Sequence, residues 1–168
     1  MSRAFEDLYG VRDAFAGVPF NGRTDAWITS QAAARHGVDV AALTAFKPLY
    51  LQYLASELDR PGPRKGVMPG VRELLDALSL RDDVFLALLT GNFAEGARLK
   101  LEYFDLWRYF ECGAFGDTVY ERNDLLADAL SKVQLCSGMP ASASHAVVIG
   151  DTPLDRSEEH TSELQSQR

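Results

Sequence analysis

The apolar positions of the first 60 residues recur at helical spacing, and no alternating strand pattern interrupts them. They predict one helix over residues 26–34 and a second helical stretch over 40–58. Thr24-Asp25 forms a predicted N-terminal cap for the first helix, and Pro48 should kink or divide the second. A segment rich in glycine and proline at residues 61–66 then ends the helical pattern and marks a boundary.

Beyond this boundary, helical patterns alternate with short, continuous apolar runs. Residues 84–89 and 145–149 are two such runs, and 112–115 is a weaker strand candidate. Helices are expected from residue 71 and over about 93–103 and 123–134. This alternation predicts an α/β fold with a parallel, doubly wound sheet.

Composition narrows the classes of protein that the pattern allows. A chain of 168 residues with 46% hydrophobic residues can bury a core, and its net charge of −7 gives no basic surface for polyanions. We therefore expect no nucleic-acid partner and no membrane partner, and a cytoplasmic location. Cys112 and Cys136 have no disulfide or metal-cluster spacing and are predicted to be buried free thiols. The pattern indicates no oligomeric state.

Two of the apolar runs end in polar turns, which a parallel sheet places at one edge. Thr90-Gly91-Asn92 offers a hydroxyl and backbone N–H groups at the start of a helix, which suits a phosphate, although a plain helix cap is the alternative. Asp151 and Asp155 are close enough in sequence to serve one Mg²⁺ ion, with a turn and cap pair as the alternative.

In this order, the segments from Phe5 to Asp155 resemble the haloacid dehalogenase superfamily, and within it the phosphoglycolate-phosphatase-like members with a helical cap. The resemblance implies an inserted α-helical cap over residues 1–64 and an incomplete Rossmann-like parallel-sheet core over 65–155. The turn at 89–92 is similar to the second family motif, in which Thr90 and the neighbouring amides of Gly91 and Asn92 would hold the phosphoryl group.

The same resemblance implies roles for several charged residues. The pair Asp151 and Asp155 would position Mg²⁺. Arg122 is the first candidate for the cation of the third motif and Lys100 the second, while a solvated arginine at a helix start is the alternative for Arg122. Arg23 lies in a segment similar to one that faces the active site, and it would bind a second anionic group of the substrate unless it is a surface arginine.

The sequence departs from the family pattern at the first motif, Asp-x-Asp-Gly-Thr, which supplies the nucleophile and the general acid and base. Asp7, Asp13 and Asp25 do not follow an apolar strand, and none begins an Asp-x-Asp pattern. We therefore expect a truncated, inactive chain in which the core strand before the cap is absent.

The last stretch, residues 156–168, loses the apolar pattern, and residues 156–166 can be back-translated into the sequence of a short-read library adapter. We treat it as a non-native tail, with a natural acidic tail as the alternative.

The resemblance implies that the parent protein is a Mg²⁺-dependent phosphomonoester hydrolase, which acts on a small phosphorylated metabolite through an aspartyl-phosphate intermediate. One alternative keeps the fold and changes the reaction to that of a phosphomutase, a phosphonatase or a haloacid dehalogenase. The other alternative is a non-catalytic fragment that binds phosphate without turnover.

Overall fold

The computed structural model describes residues 1–62, 65–117, 119–121 and 124–150. Within these ranges the chain forms helices and one small parallel sheet. The α-helices are α1 (Ser2–Tyr9), α2 (Asp25–Arg35), α3 (Phe46–Leu58), α4 (Val71–Ser79), α5 (Ala94–Tyr103) and α6 (Asp124–Ser137). The strands are β1 (Ala87–Leu89) and β2 (Cys112–Ala114). Short 3-10 helices cover Val40–Ala45, Trp107–Tyr109 and Ala143–His145.

Residues 1–62, which we call the helical segment, follow the predicted pattern closely. The Thr24 hydroxyl oxygen accepts a hydrogen bond from the Trp27 N–H at 3.2 Å, so Thr24 caps α2 as predicted. The second helical stretch is divided before Pro48, where the 3-10 helix gives way to α3. Pro48 lies in the first turn of α3, where its missing N–H removes no helical hydrogen bond.

The core of the helical segment is built from aromatic and small apolar side chains. The Phe5 ring lies edge-on to Phe15 and Phe46, with ring centroids 5.4 and 5.9 Å apart. The buried members of this core are Ala4, Phe5, Ala14, Phe15, Val18, Ile28, Ala32, Ala33, Phe46, Tyr50 and Phe93. Phe93 comes from the second part of the chain, so the core continues across the predicted boundary.

Residues 65–150, as far as the structure describes them, contain both strands, and we call them the α/β segment. Strands β1 and β2 are parallel, with Ala87 opposite Cys112 and Leu89 opposite Ala114. Helix α6 packs on the sheet through Leu125 and Ala129, which are buried with Ala114. This arrangement confirms the predicted α/β class. Only the last three residues of the predicted strand over 84–89 form a strand, which is β1.

The predicted strand over residues 145–149 is wrong. Residue 145 ends a 3-10 helix, and no regular structure follows it up to residue 150. The side chains of Val147 and Ile149 are 79% and 69% exposed. A strand needs a neighbour for its backbone hydrogen bonds, and in the described part of the chain β1 pairs only with β2. The apolar run therefore has no partner there.

The prediction of two buried thiols is also wrong. Cys136 is exposed in the last turn of α6 and Cys112 is half-buried at the start of β2. Burial raises the pKa of the Cys112 thiol to about 11, and a hydrogen bond to Cys136 adds to the shift. None of the described helices combines the length and the apolar character that a bilayer span requires.

Candidate functional site

The turn Thr90-Gly91-Asn92 lies at the carboxyl end of β1, immediately before α5. The Thr90 N–H donates to the Ala114 carbonyl oxygen at 3.0 Å, which extends the hydrogen bonding of the sheet by one residue. The Gly116 N–H then donates to the Asn92 carbonyl oxygen at 2.8 Å. The two sides of the turn are thus held by the last residue of β2 and by the loop that follows it, at the carboxyl edge of the parallel sheet, where α/β proteins commonly bind ligands.

A chain of polar side chains runs from this turn to α5. The Thr90 hydroxyl oxygen accepts from the Asn92 N–H at 3.2 Å and from the Asn92 side-chain amide at 2.9 Å. Lys100 donates from its ammonium group to the Asn92 side-chain oxygen. Because both lone pairs of the Thr90 oxygen are engaged, its hydrogen can donate outward to an anion. The three residues therefore form one hydrogen-bonded donor array.

The N–H groups at the start of α5 are bonded mainly to protein acceptors. Phe93 donates to the Asp25 carboxylate at 2.9 Å, and Ala94 donates to the Asp117 carboxylate at 2.7 Å. The Asn92 N–H, which was predicted to hold phosphate, is bonded to Thr90. Among the described residues the Gly91 N–H has no hydrogen-bond acceptor, and Gly91 itself is buried against the backbone of Arg23 and Thr24.

The N-terminus of α2 contacts the turn backbone directly. The Asp25 N–H donates to the Gly91 carbonyl oxygen at 2.6 Å, and the Ala26 N–H donates to the Gly116 carbonyl oxygen at 3.1 Å. The buried Thr24 hydroxyl donates to the Tyr120 carbonyl oxygen at 3.2 Å. The helical segment is therefore joined to the α/β segment by backbone hydrogen bonds at the candidate site itself.

A second junction lies next to the first and consists of an ion cluster. The Lys47 ammonium on α3 lies 2.6 Å from an Asp117 oxygen and 2.5 Å from a Glu95 oxygen. Burial lowers the pKa of Lys47, but its hydrogen bonds to the two acids outweigh that effect, so the net pKa is raised. The same lysine lowers the pKa of Glu95. The Asp117 carboxylate thus bonds both to α3 and to the first turn of α5.

The candidate site contains two largely buried groups of opposite charge, Lys100 and Asp25, which partly compensate each other. Burial lowers the pKa of Lys100, and the negative charge of Asp25 opposes this shift. Burial raises the pKa of Asp25, against the lowering effects of the Phe93 N–H and of Lys100. A lysine in such surroundings gains from a bound anion more than a fully solvated lysine does.

The structure brings together four of the residues singled out from the sequence: Thr90, Gly91, Asn92 and Lys100. Arg23 contributes its backbone, because a side chain on Gly91 would meet the Arg23 carbonyl oxygen. Its guanidinium lies 4.5 Å from the centre of the Trp27 ring and 3.7 Å from a Glu121 oxygen, and its side chain is 39% exposed. Arg23 is thus a partly exposed cation whose guanidinium stacks on the Trp27 side chain of α2.

Three predicted site residues, Arg122, Asp151 and Asp155, lie outside the described residues. Among the residues that the structure does describe, no three acidic, histidine or cysteine side chains converge as a metal site. The chemistry of the two aspartates, both hard oxygen donors, is the chemistry that Mg²⁺ prefers.

Sequence reasoning missed the roles of Asp25, Asp117 and Lys47. Asp25 was interpreted as part of a helix cap, although it accepts a bond from Phe93, 68 residues away in sequence. The sequence could have identified Asp117 as a candidate site residue, because Gly116-Asp117 follows a strand in the same way as Gly150-Asp151 follows an apolar run. Lys47 carried no local signal, since its partners belong to distant elements.

A scan against protein-family models finds no match for this sequence, and a search of curated proteins finds none either.

Proposed function

We propose that this chain carries the phosphate-binding part of a haloacid-dehalogenase-type, phosphoglycolate-phosphatase-like hydrolase. In this proposal the α/β segment is part of a Rossmann-like core and the helical segment is its cap. The parent enzyme would hydrolyse a small phosphate monoester with the help of Mg²⁺. The observation that carries the proposal is the donor array of Thr90, Asn92 and Lys100 at the carboxyl end of β1, with the N-terminus of α2 bonded to the same turn.

Each donor of the array would have a distinct task toward a phosphoryl group. The Thr90 hydroxyl and the Gly91 N–H would each donate to a phosphoryl oxygen, and the Asn92 side chain would hold both Thr90 and Lys100 in place. The Lys100 ammonium would neutralise charge on the phosphoryl group. The bond of the Lys100 ammonium to the side chain that orients Thr90 supports Lys100 for this role, and Arg122 stays the other candidate from the sequence.

Asp151 and Asp155 would hold the Mg²⁺ ion, and when bound it would neutralise and orient the transferring phosphoryl group. Arg23 would contact a second anionic group of the substrate, and its partly exposed guanidinium beside Trp27 leaves a face open for that contact. The family reaction needs an aspartate nucleophile, and the 168 residues contain no Asp-x-Asp pattern. Turnover is therefore proposed for the parent enzyme and not for this chain alone.

Titration of the isotope-labelled chain with inorganic phosphate, followed by NMR, tests the binding part of the proposal. We expect the amide signals of the 90–92 turn to shift. The variants Thr90→Val and Lys100→Met should each weaken binding about tenfold, because each removes a hydrogen bond to a charged ligand. Lys132→Met is the matched control, since Lys132 pairs with Asp128 at 2.7 Å on α6. Equal phosphate affinity in all four proteins would contradict the proposal.

The variant Arg122→Met, measured in the same titration, distinguishes the two candidate cations. We expect a smaller loss of affinity than for Lys100→Met. The reverse order would assign the cation role to Arg122.

A chain extended at its N-terminus by an apolar strand that ends in Asp-x-Asp-Gly-Thr tests the hydrolase part. We expect Mg²⁺-dependent release of phosphate from small phosphate monoesters, and loss of this activity when the first aspartate of the added motif becomes asparagine. Release of halide from a 2-haloacid without Mg²⁺ would instead assign the haloacid dehalogenase reaction. Phosphonate cleavage or transfer of a phosphoryl group within a sugar phosphate would assign the other two alternatives.

The missing Asp-x-Asp pattern also favours a second candidate function, a module that binds phosphate without turnover. Phosphate binding by the unextended chain, together with no activity of the extended chain on any substrate of the panel, would support this candidate over the hydrolase.

A further inference from the structure

Asp25 is a buried acid at the point where the helical segment meets the candidate phosphate site. It is the first residue of α2 and is only 8% exposed. Its carboxylate accepts a hydrogen bond from the Phe93 N–H at 2.9 Å, and its own N–H donates to the Gly91 carbonyl oxygen at 2.6 Å. Asp25 is thus bonded to both chain neighbours of Asn92, the residue that links Thr90 to Lys100 in the donor array.

The backbone segments around Asp25 are packed closely, so Asp25 cannot move without moving Gly91. A side chain on Gly116 would come within 2.0 Å of the Gly91 carbonyl oxygen, and one on Gly91 within 2.6 Å of the Arg23 carbonyl oxygen. These backbones are therefore packed directly against each other at the N-terminus of α2. A displacement of Asp25 would move Gly91 and Phe93, which flank the residue that orients Lys100.

Asp25 also faces the charges of the site. Lys100 is a nearby cation, and Asp117 is a nearby anion. An acid next to an anion site would by simple repulsion weaken anion binding. Its bond to Phe93 and its attraction for Lys100 act in the opposite direction, because they fix the donors that the anion needs.

We propose that Asp25 is a positioning residue of the phosphate site, which holds the start of α5 through the Phe93 N–H and so aligns the Thr90 hydroxyl with the Lys100 ammonium. This inference rests on the proposed function, since it takes phosphate as the ligand of the array. It goes beyond that function by assigning to the cap a residue that determines phosphate affinity without contacting the phosphate.

The test compares Asp25→Asn and Asp25→Ala in the full chain. Asparagine keeps an oxygen that can accept from Phe93, whereas alanine does not. Asp39→Ala is the matched control, because the Asp39 carboxylate also accepts a backbone hydrogen bond at a helix start, from the Ala41 N–H at 2.9 Å, but Asp39 is exposed and far in sequence from the site. Hydrogen exchange of the Phe93 amide and the affinity for inorganic phosphate are measured for each protein.

We expect Asp25→Ala to speed exchange of the Phe93 amide and to weaken phosphate binding, each by about tenfold. Asp25→Asn should keep the Phe93 protection and stay within about threefold of the original affinity. The control should change neither quantity. If Asp25→Ala does not fold, Asp25→Ser takes its place, because its shorter side chain cannot reach Phe93 from the same backbone position.

Phosphate affinity that is unchanged or higher in Asp25→Ala would overturn the inference, because simple repulsion would then dominate. Full loss of affinity in Asp25→Asn would overturn it as well. If the unsubstituted chain binds no phosphate, the proposed function fails on its own. The exchange of the Phe93 amide still decides in that case whether Asp25 holds the turn.

Discussion

The helical segment and the described part of the α/β segment bury their apolar residues to very different extents. The helical segment has a continuous aromatic core around Phe5 and Phe46, whereas the buried cluster of the α/β segment consists of Ala114, Leu125 and Ala129. No residue of α4 is buried, although its sequence is strongly amphipathic. Apolar side chains at the surface of the α/β segment include Met68, Leu74, Leu80, Leu135, Val147 and Ile149.

The difference shows what each kind of element needs from the rest of the chain. A helix satisfies its backbone internally, and helices that are neighbours in sequence can bury one another's apolar faces. A parallel strand satisfies its backbone only with strands from distant parts of the sequence. In the described residues, β1 has one strand partner, and the 145–149 run has none. An apolar sequence is therefore not sufficient for a buried core, because a strand also needs neighbouring strands.

The largest expected effect is that of Phe5→Ala in the core of the helical segment. Phe5 is fully buried and packs against the rings of Tyr9, Phe15 and Phe46. We expect the free energy of unfolding to fall by about 3–5 kcal/mol, as measured by urea denaturation. Leu80→Ala in the α/β segment is the control. Leu80 is 86% exposed, so its effect should stay within about 0.5 kcal/mol. Similar effects of the two substitutions would contradict the difference in burial between the two segments.

The next effect concerns the junction between the two segments. Gly116→Ala places a methyl group within 2.0 Å of the Gly91 carbonyl oxygen and 2.9 Å of the Thr24 side chain. We expect a loss of about 1–3 kcal/mol in the free energy of unfolding, because backbones must move apart. Gly66→Ala is the matched control, since a methyl group there meets no atom within 4 Å. A tolerated Gly116→Ala would mean that the two segments are less closely joined than their hydrogen bonds indicate.

Sequence reasoning succeeded where the signal was local. The Thr24 cap, the helices α2, α5 and α6, and the short strand β2 all follow from the residues within each element and its flanks. The position of the turn at Thr90, after a strand and before a helix, was predicted in the same way, and its binding of phosphate stays a prediction.

It failed where the outcome depends on distant partners. The 145–149 run has the composition of a buried strand, yet composition does not say whether a neighbouring strand is present. The roles of Asp25 and Asp117 as acceptors for the first N–H groups of α5 depend on how the N-terminus of α2 and the loop after β2 approach α5, which no local pattern encodes. The bond of Lys100 to Asn92 joins residues eight positions apart, and no local pattern in the sequence predicts it.

A smaller effect is expected at the ion cluster of Lys47, Glu95 and Asp117. Lys47→Met should lower the free energy of unfolding by about 1 kcal/mol at neutral pH, because the pairs are partly solvated. The pKa of Lys47 is raised in the folded chain, so its contribution is fully present below the ordinary pKa of 10.5 and is lost as pH rises through the raised value.

Urea denaturation of both proteins as a function of pH measures this contribution of Lys47. The difference between the original chain and Lys47→Met should shrink only above the ordinary lysine pKa. Lys132→Met, which breaks a pair within α6 alone, should cost less. A Lys47 effect that disappears already at neutral pH would show that the cluster does not join α3 to α5 in solution.

The smallest effect is expected at the exposed apolar run, and it tests whether the contrast between the two segments holds for the chain in solution. Ile149→Thr removes apolar surface that no described residue covers, so the free energy of unfolding should change by less than about 0.5 kcal/mol. The measurement is urea denaturation at two protein concentrations that differ by about a hundredfold, because association would stabilise the folded chain by mass action. A loss of more than about 1 kcal/mol that appears only at the higher concentration would mean that a second copy covers this run. The same loss at both concentrations would mean that another part of the same chain covers it, and the α/β segment would then bury more of its apolar residues than its described part does.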